Sequence, residues 1–270
     1  MEVNQAHMFA SLWLALAGIA FLVAACLTLL LLVRHFIKVH DLEMHHPVTD
    51  PLLQVVGMMF AILLGFMVSD AMQRFAAARS NVQQEAASVA DVFRLADGFS
   101  DPDRARIRKL CTDYVDEVAT IEWPMLARKE SSDQVWHTYS ELWSTIAKLK
   151  AHDDSQAAVL QCIIPCMASV ADNRRLRLEC MHNGLSPSLW IVLCIAGMAT
   201  IIFACLFGAQ NKTLQMVMIA IISIVMGLNV FMLASYDDPF AGDVHVGPEP
   251  FVVDQHLFRY DTDKVPVNAP

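Results

Sequence analysis

Four long stretches of this chain carry no charge, and they constrain its fold more than any other feature. Residues 8–33 are 26 consecutive positions without Asp, Glu, Lys or Arg, and residues 51–69, 188–211 and 213–236 are equally free of them. About 20 apolar residues cross a hydrocarbon core of roughly 30 Å, so each stretch is long enough to span a bilayer. Periodicity cannot separate a buried helix from a span, but the length of an uncharged run can. The chain is 56% hydrophobic and 17% charged, against about a quarter charged in soluble domains. The expectation is an all-α, polytopic membrane protein with helices spanning 8–33, 52–73, 188–208 and 213–235.

The first run does not read as a signal peptide. Its n-region holds only Glu2 and no base, and its apolar stretch is too long. Val23-Ala24-Ala25-Cys26 imitates a lipoprotein cleavage site, but seven more uncharged residues follow Cys26. Of the seven cysteines, Cys26, Cys194 and Cys205 fall inside runs, where a thiol behaves as a small hydrophobe. Cys162 and Cys166 stand one helical turn apart around Pro165, with no second ligand pair near them in sequence. His35, His40, His45 and His46, with Asp41, Glu43 and Asp50, crowd the segment between the first two runs. Imidazole and carboxylate are ordinary metal ligands, yet the spacing matches no structural site, and neither a metal nor a cofactor is expected. A net charge of −9 argues against a nucleic-acid partner.

Four spans put both termini and the region 74–187 on one membrane face. Arg74, Arg79, Arg174, Arg175 and Arg177 flank the spans on that face, against Arg34, Lys38 and Lys212 on the other. The positive-inside rule therefore places the central region and the termini in the cytoplasm of a multi-pass cell-membrane protein, the inner membrane if the cell is Gram-negative. Trp13 and Trp190 then anchor the same interface.

Helical signals fill the region 74–187. Phe75, Val82, Val89, Phe93 and Ala96 mark one face of a helix that Gly98 ends. Ser100-Asp101-Pro102-Asp103 opens the next helix, with proline in the first turn. Ser131-Ser132-Asp133 caps a third, and Asp153-Asp154 starts a fourth. No proline or glycine interrupts the chain between Phe66 and Asp97. Residues 52 to about 97 are thus expected to form one helix of about 70 Å at 1.5 Å per residue, half in the membrane and half a strut of the cytoplasmic bundle. The tail, 236–270, has five prolines and mostly acidic charge, and reads as extended.

Motif chemistry points away from catalysis. The chain has no Walker loop, dinucleotide fingerprint or nucleophile elbow, and no catalytic constellation can be assembled, so an enzyme is not expected. Met58, Ile62, Phe66, Asp70 and Arg74 recur every four residues, a stripe that drifts by about 40° per step. Three large apolar side chains lead to an acid and a base at the membrane surface. By itself such a stripe is read as an ordinary helix seam ending in an interfacial ion pair.

"LGFMVSDAMQRF", residues 64–75, resembles the second transmembrane helix of bestrophin anion channels. Asp238-Pro239-Phe240-Ala241-Gly242-Asp243 resembles the Asn-Pro-Phe-Gly-acidic motif after their fourth span. Across nearly the whole chain the pattern is similar to the bacterial bestrophin-like family, at Phe66, Arg74, Arg79, Glu85, Tyr114, Glu122-Trp123, Arg174, Arg177, Pro187, Trp190, and Pro239-Phe240 with Gly242-Asp243. The resemblance implies a homo-oligomer, pentameric in bestrophins, that conducts inorganic anions such as chloride. It implies a hydrophobic neck at Met58, Ile62 and Phe66, with Asp70 and Arg74 at the pore mouth. The tail motif of Asp237, Asp238, Pro239, Phe240, Gly242 and Asp243 is expected to dock on the bundle, because Phe240 has nothing in a polar tail to cover it, with its carboxylates near Arg74, Arg79 or Arg174 to Arg177. The chain lacks the long acidic run of the bestrophin calcium clasp, and Asp70 disfavours anions unless bases offset it. The competing expectation is a non-conducting scaffold or sensor whose bundle binds a partner.

Overall fold

A computed structural model describes residues 2–36, 46–207, 211–242 and 244–264. Helix α1 spans Glu2–Phe36 and α2 spans His46–Leu95, followed by a 3-10 turn at Ala96–Gly98. Helix α3, Asp101–Glu117, passes through a π-helical turn at Val118–Glu122 into the short α4, Trp123–Leu126. Then come α5, Asp133–Ala147; α6, Asp154–Cys180; α7, Pro187–Leu206; α8, Lys212–Asp237; and α9, Glu249–Lys264. No strand occurs among the described residues. The chain forms two compact units, Met1–Gln73 with Gly184–Asp237, and Arg74–Asn183 with Asp238–Pro270.

Local chemistry sets the helix starts. Ser132 Oγ accepts from the Val135 N–H at 3.4 Å, and Asp153 Oδ1 accepts from the Gln156 N–H at 2.7 Å. Each satisfies a donor that its helix's first turn leaves unpaired. Pro102 sits in the first turn of α3, where a missing N–H costs nothing. Gly98 allows α6 to approach closely, because a Cβ there would meet Val159 Cγ2 at 2.7 Å.

In the first unit, α1 packs along α8, and a Cβ at Gly227 would lie 3.1 Å from Ile19 Cγ1. Small residues at such seams let backbones approach, because lipid supplies no hydrophobic drive between helices. Gln215 is buried at the start of α8 and donates to the carbonyls of Cys205 at 3.3 Å and Phe207 at 2.6 Å. Its Oε1 accepts from Arg34 at the end of α1, so one amide ties three helix ends together.

In the second unit, buried side chains of α2 (Val82, Val89, Phe93) join those of α3 (Ile107, Tyr114), α6 (Ile163, Met167) and α9 (Phe251, Phe258). Phe258 stacks on Phe93 with ring centroids 4.0 Å apart.

Among the described residues, five helices have the length and composition to cross a membrane: α1, α2, α6, α7 and α8. Helix α6 is the least apolar of them. The tail also departs from the sequence reading: residues 249–264 are helix, not extended chain. The acidic, proline-marked composition obscured it, although Pro250 occupies a first turn and Phe251 and Phe258 stand two turns apart on one face.

Candidate functional site

Helix α2 has two faces of opposite character. Phe60, Leu64, Met67, Ala71, Ala78, Val82, Glu85 and Val89 are buried, and they recur at heptad spacing along the helix. At 3.6 residues per turn, Ile62, Phe66, Ser69 and Gln73 all lie within about 40° of the direction opposite Leu64. Met58, Ile62 and Phe66 are 67%, 49% and 72% exposed. They do not enter the interior of the chain's own helix bundle; they are the outward face of α2. One turn further the same face turns polar, where Gln73 Nε2 donates to Ser69 Oγ at 3.2 Å. Asp70 is exposed beside them. Arg74 is half-buried, and its Nη1 donates to the Asn183 carbonyl at 2.7 Å.

The second unit encloses a charge network that the sequence reading did not assemble. Arg177, fully buried, donates from Nε to Glu85 Oε2 at 2.7 Å and from Nη2 to Glu85 Oε1 at 3.0 Å and Glu122 Oε2 at 2.8 Å. Arg174 grips Glu122 with both terminal nitrogens at 2.8 Å. Such fork-on-carboxylate pairs are the strongest protein hydrogen bonds. Tyr114 donates its hydroxyl to Glu85 Oε1 at 2.5 Å, and the Ser132 N–H donates to Glu122 Oε1 at 3.3 Å. Two guanidinium groups and two carboxylates cancel in charge.

Burial pushes the Glu122 carboxyl up, but Arg177 and Arg174 together outweigh it and hold it below the ordinary range. Burial, then the neighbouring Glu85 carboxylate, drive the Tyr114 phenol well up, so it stays a donor. Arg177 Nη1 and Arg174 Nε have no hydrogen-bond partner within the chain, but the Arg177 guanidinium lies 5.5 Å from the Trp123 ring centroid and that of Arg174 lies 5.9 Å from Tyr114's.

Sequence spacing does contain the signal for this network. Ile163, Met167, Val170, Arg174 and Arg177 recur at 4, 3, 4 and 3, all on the buried face of α6. Glu85 interrupts the apolar face of α2 in the same way. Charges in register with a buried stripe demand buried partners of opposite sign.

The tail motif also has defined partners. Phe240 is buried and meets Trp123 edge-on, with centroids 5.9 Å apart at 84°. The Pro239 carbonyl accepts from the Val246 N–H at 2.8 Å, and Trp123 Nε1 donates to the Val246 carbonyl at 3.3 Å. Gly242 has φ of 87°, a left-handed conformation that suits glycine. Asp237 Oδ1 accepts from the Leu185 N–H at 2.6 Å. Asp238 pairs with Lys129 at 3.8 Å. Arg174 and Arg177, by contrast, are enclosed with Glu122 and Glu85. Asp243 lies outside the described residues, as do His40 and His45 of the histidine-rich segment. No cluster of three or more metal-ligating side chains occurs among the described residues.

Comparison with known proteins agrees with this architecture. A family model for the Bestrophin-like domain matches residues 20–251. A bacterial bestrophin homolog from Klebsiella pneumoniae, crystallised as a leucine-to-threonine variant, superposes with a TM-score of 0.70 at 12% identity, covering 92% of this chain and 99% of that one. A zinc-phased crystal structure of a bestrophin homolog from the same organism gives 0.67 at 12% identity, covering 90% and 97%. No match was found among curated proteins. At these identities the structures establish a shared fold, and the family model, which covers most of the sequence, establishes kinship. The chain is a helical membrane protein and belongs to the Bestrophin-like family.

Proposed function

We propose that the chain assembles as a homo-oligomer around an ion-conducting pore, selective for anions, whose constriction is the outward face of α2 at Met58, Ile62 and Phe66. An ion-channel function is supported by membership of the family. The carrying observation is the exposure of these three residues opposite the buried heptad of the same helix. A purely lipid-facing stripe has no use for the adjoining Ser69, Asp70 and Gln73, whereas a pore leading into water does. In a ring of copies, five by analogy with bestrophins in general, the apolar residues exclude water when narrow and admit hydrated ions when wider. Asp70 opposes anions, and Arg74 near it offsets that charge.

In this reading the spans are α1, the first half of α2, α7 and α8. Helix α6 stays outside the bilayer, because Arg174 and Arg177 on it serve the buried network. The second unit and both termini face the cytoplasm. A non-conducting scaffold is the second reading, favoured by Trp136 and Trp143, which α5 leaves 55% and 38% exposed. Planar-bilayer recording of the purified chain under asymmetric chloride separates the two. A current reversing near the chloride equilibrium potential supports the anion pore, and a silent bilayer with verified protein insertion supports the scaffold.

A further inference from the structure

Within the first unit, α1, α7 and α8 leave a cleft of about 560 Å³. Its long wall runs on α1 from Ala15 to Leu29, about 21 Å at 1.5 Å per residue. Phe60 of α2 is buried beneath it, and Gly197 and Gly227 line it where the helices pack closely. No charged side chain lines it. Cys194, Met198 and Phe231 on its rim are exposed, so it opens sideways along the spans. One end holds Trp190, in the first turn of α7, beside Ala234 in the last turns of α8. On the spans proposed above, this is the end where both helices leave the membrane. The other end is wholly apolar.

We propose that this cleft binds one acyl chain of a membrane phospholipid, with the headgroup at the Trp190 end and the tail running towards Leu29. A leaflet's share of the hydrocarbon core is about 15 Å deep, so the cleft accommodates the full length of a chain. Its volume is in the range of sites that enclose a small ligand, about 300–1,000 Å³. An empty cleft would forfeit the dispersion contacts of its walls, and in a bilayer the molecules at its open side are phospholipids. The Trp190 indole supplies an amphipathic group at headgroup level, as tryptophans do at membrane interfaces. Retention depends on shape, because apolar attraction alone does not distinguish this cleft from surrounding lipid.

The test uses the purified full-length chain reconstituted with phospholipid brominated in mid-chain, with Trp190 emission isolated by subtracting the Trp190→Phe protein. Trp190 should be quenched and should stay quenched after dilution into micelles without bromine. Gly18→Leu should abolish the persistent part, because a side chain at Gly18 meets no atom within 4 Å at its Cβ and enters the cleft freely. Ala234→Leu fills the same end and serves if the first variant fails to fold. Three results would overturn the proposal: immediate recovery of emission in the wild type; persistent quenching in both filled variants; or persistent quenching by a brominated fatty acid but not by the phospholipid. A change in oligomer mass in the filled variants, with quenching unaltered, would overturn it too, because a second copy would then occupy the cleft.

Discussion

The two units of this chain place their unusual residues on opposite sides of their surfaces. The first exposes large apolar side chains such as Trp13, Phe66 and Met198, and packs its seams with small ones such as Gly197 and Gly227. The second encloses Glu85, Glu122, Arg174 and Arg177 at 3% exposure or less, among Tyr114 and Trp123. Surrounded by lipid, helices gain nothing by hiding apolar surface, and shape decides the packing. Surrounded by water, a helical unit can carry buried charges only if each finds its counter-charge. The contrast says which changes should be severe: loss of one charge in the second unit, loss of smallness in the first.

The largest effect is expected for Arg177→Met, which strands Glu85 beneath the surface. Breaking one side of a buried pair costs about 3–5 kcal/mol, read as a fall in the thermal midpoint of the detergent-solubilised protein. The double variant Arg177→Met with Glu85→Leu should recover part of the loss. If the double variant is worse than Arg177→Met alone, the network is not a set of mutually satisfied charges. Close behind is Ala78→Pro, which breaks α2 at a fully buried position and should cost about 3 kcal/mol or more. Unchanged stability and activity would show that the continuity of α2 carries no function.

Phe240→Ala should cost about 2 kcal/mol from lost burial against Trp123, and limited proteolysis between Phe240 and Phe251 should accelerate. Cleavage at equal speed in wild type and variant would contradict docking of that segment.

Proton linkage gives a finer comparison inside the second unit. Glu122 is held below the ordinary carboxylate range, so its contribution is present above that range and is lost as pH falls through its folded value. Asp254, buried in α9 with Oδ2 unpartnered, behaves in the opposite way. Burial raises its carboxyl to about 7, with Arg94 lowering and Asp91 raising it. Its contribution is present below the ordinary range and is lost as pH rises towards and through about 7. Asp254→Asn should therefore stabilise α9 most at pH 8, above the folded value, and least at pH 4, close to the ordinary carboxylate range, a difference readable by hydrogen exchange of residues 249–264. Equal effects at both values would remove Asp254 from the account.

Much of this architecture was legible because charge-free length and capping residues act locally. The runs at 8–33, 188–211 and 213–236 coincide with α1, α7 and α8, and Ser132 and Asp153 cap the helices they announce. The network was not legible as a unit, because Glu85 and Arg177 are separated by 92 positions and nothing local links them. Helix α9 was missed because its apolar residues are diluted by acids and prolines, and its partner Phe93 lies far away in sequence. The outward face of α2 was visible as a stripe, but spacing alone could not say which side of the helix the chain would leave uncovered.

The central claim rests on that face, and conductance tests it most directly. Met58→Ala, Ile62→Ala and Phe66→Ala combined remove exposed side chains, so stability should change little, while unitary conductance in planar bilayers should rise several-fold over the wild type. An unaltered conductance in a stable, correctly assembled triple variant would contradict a constriction at these residues.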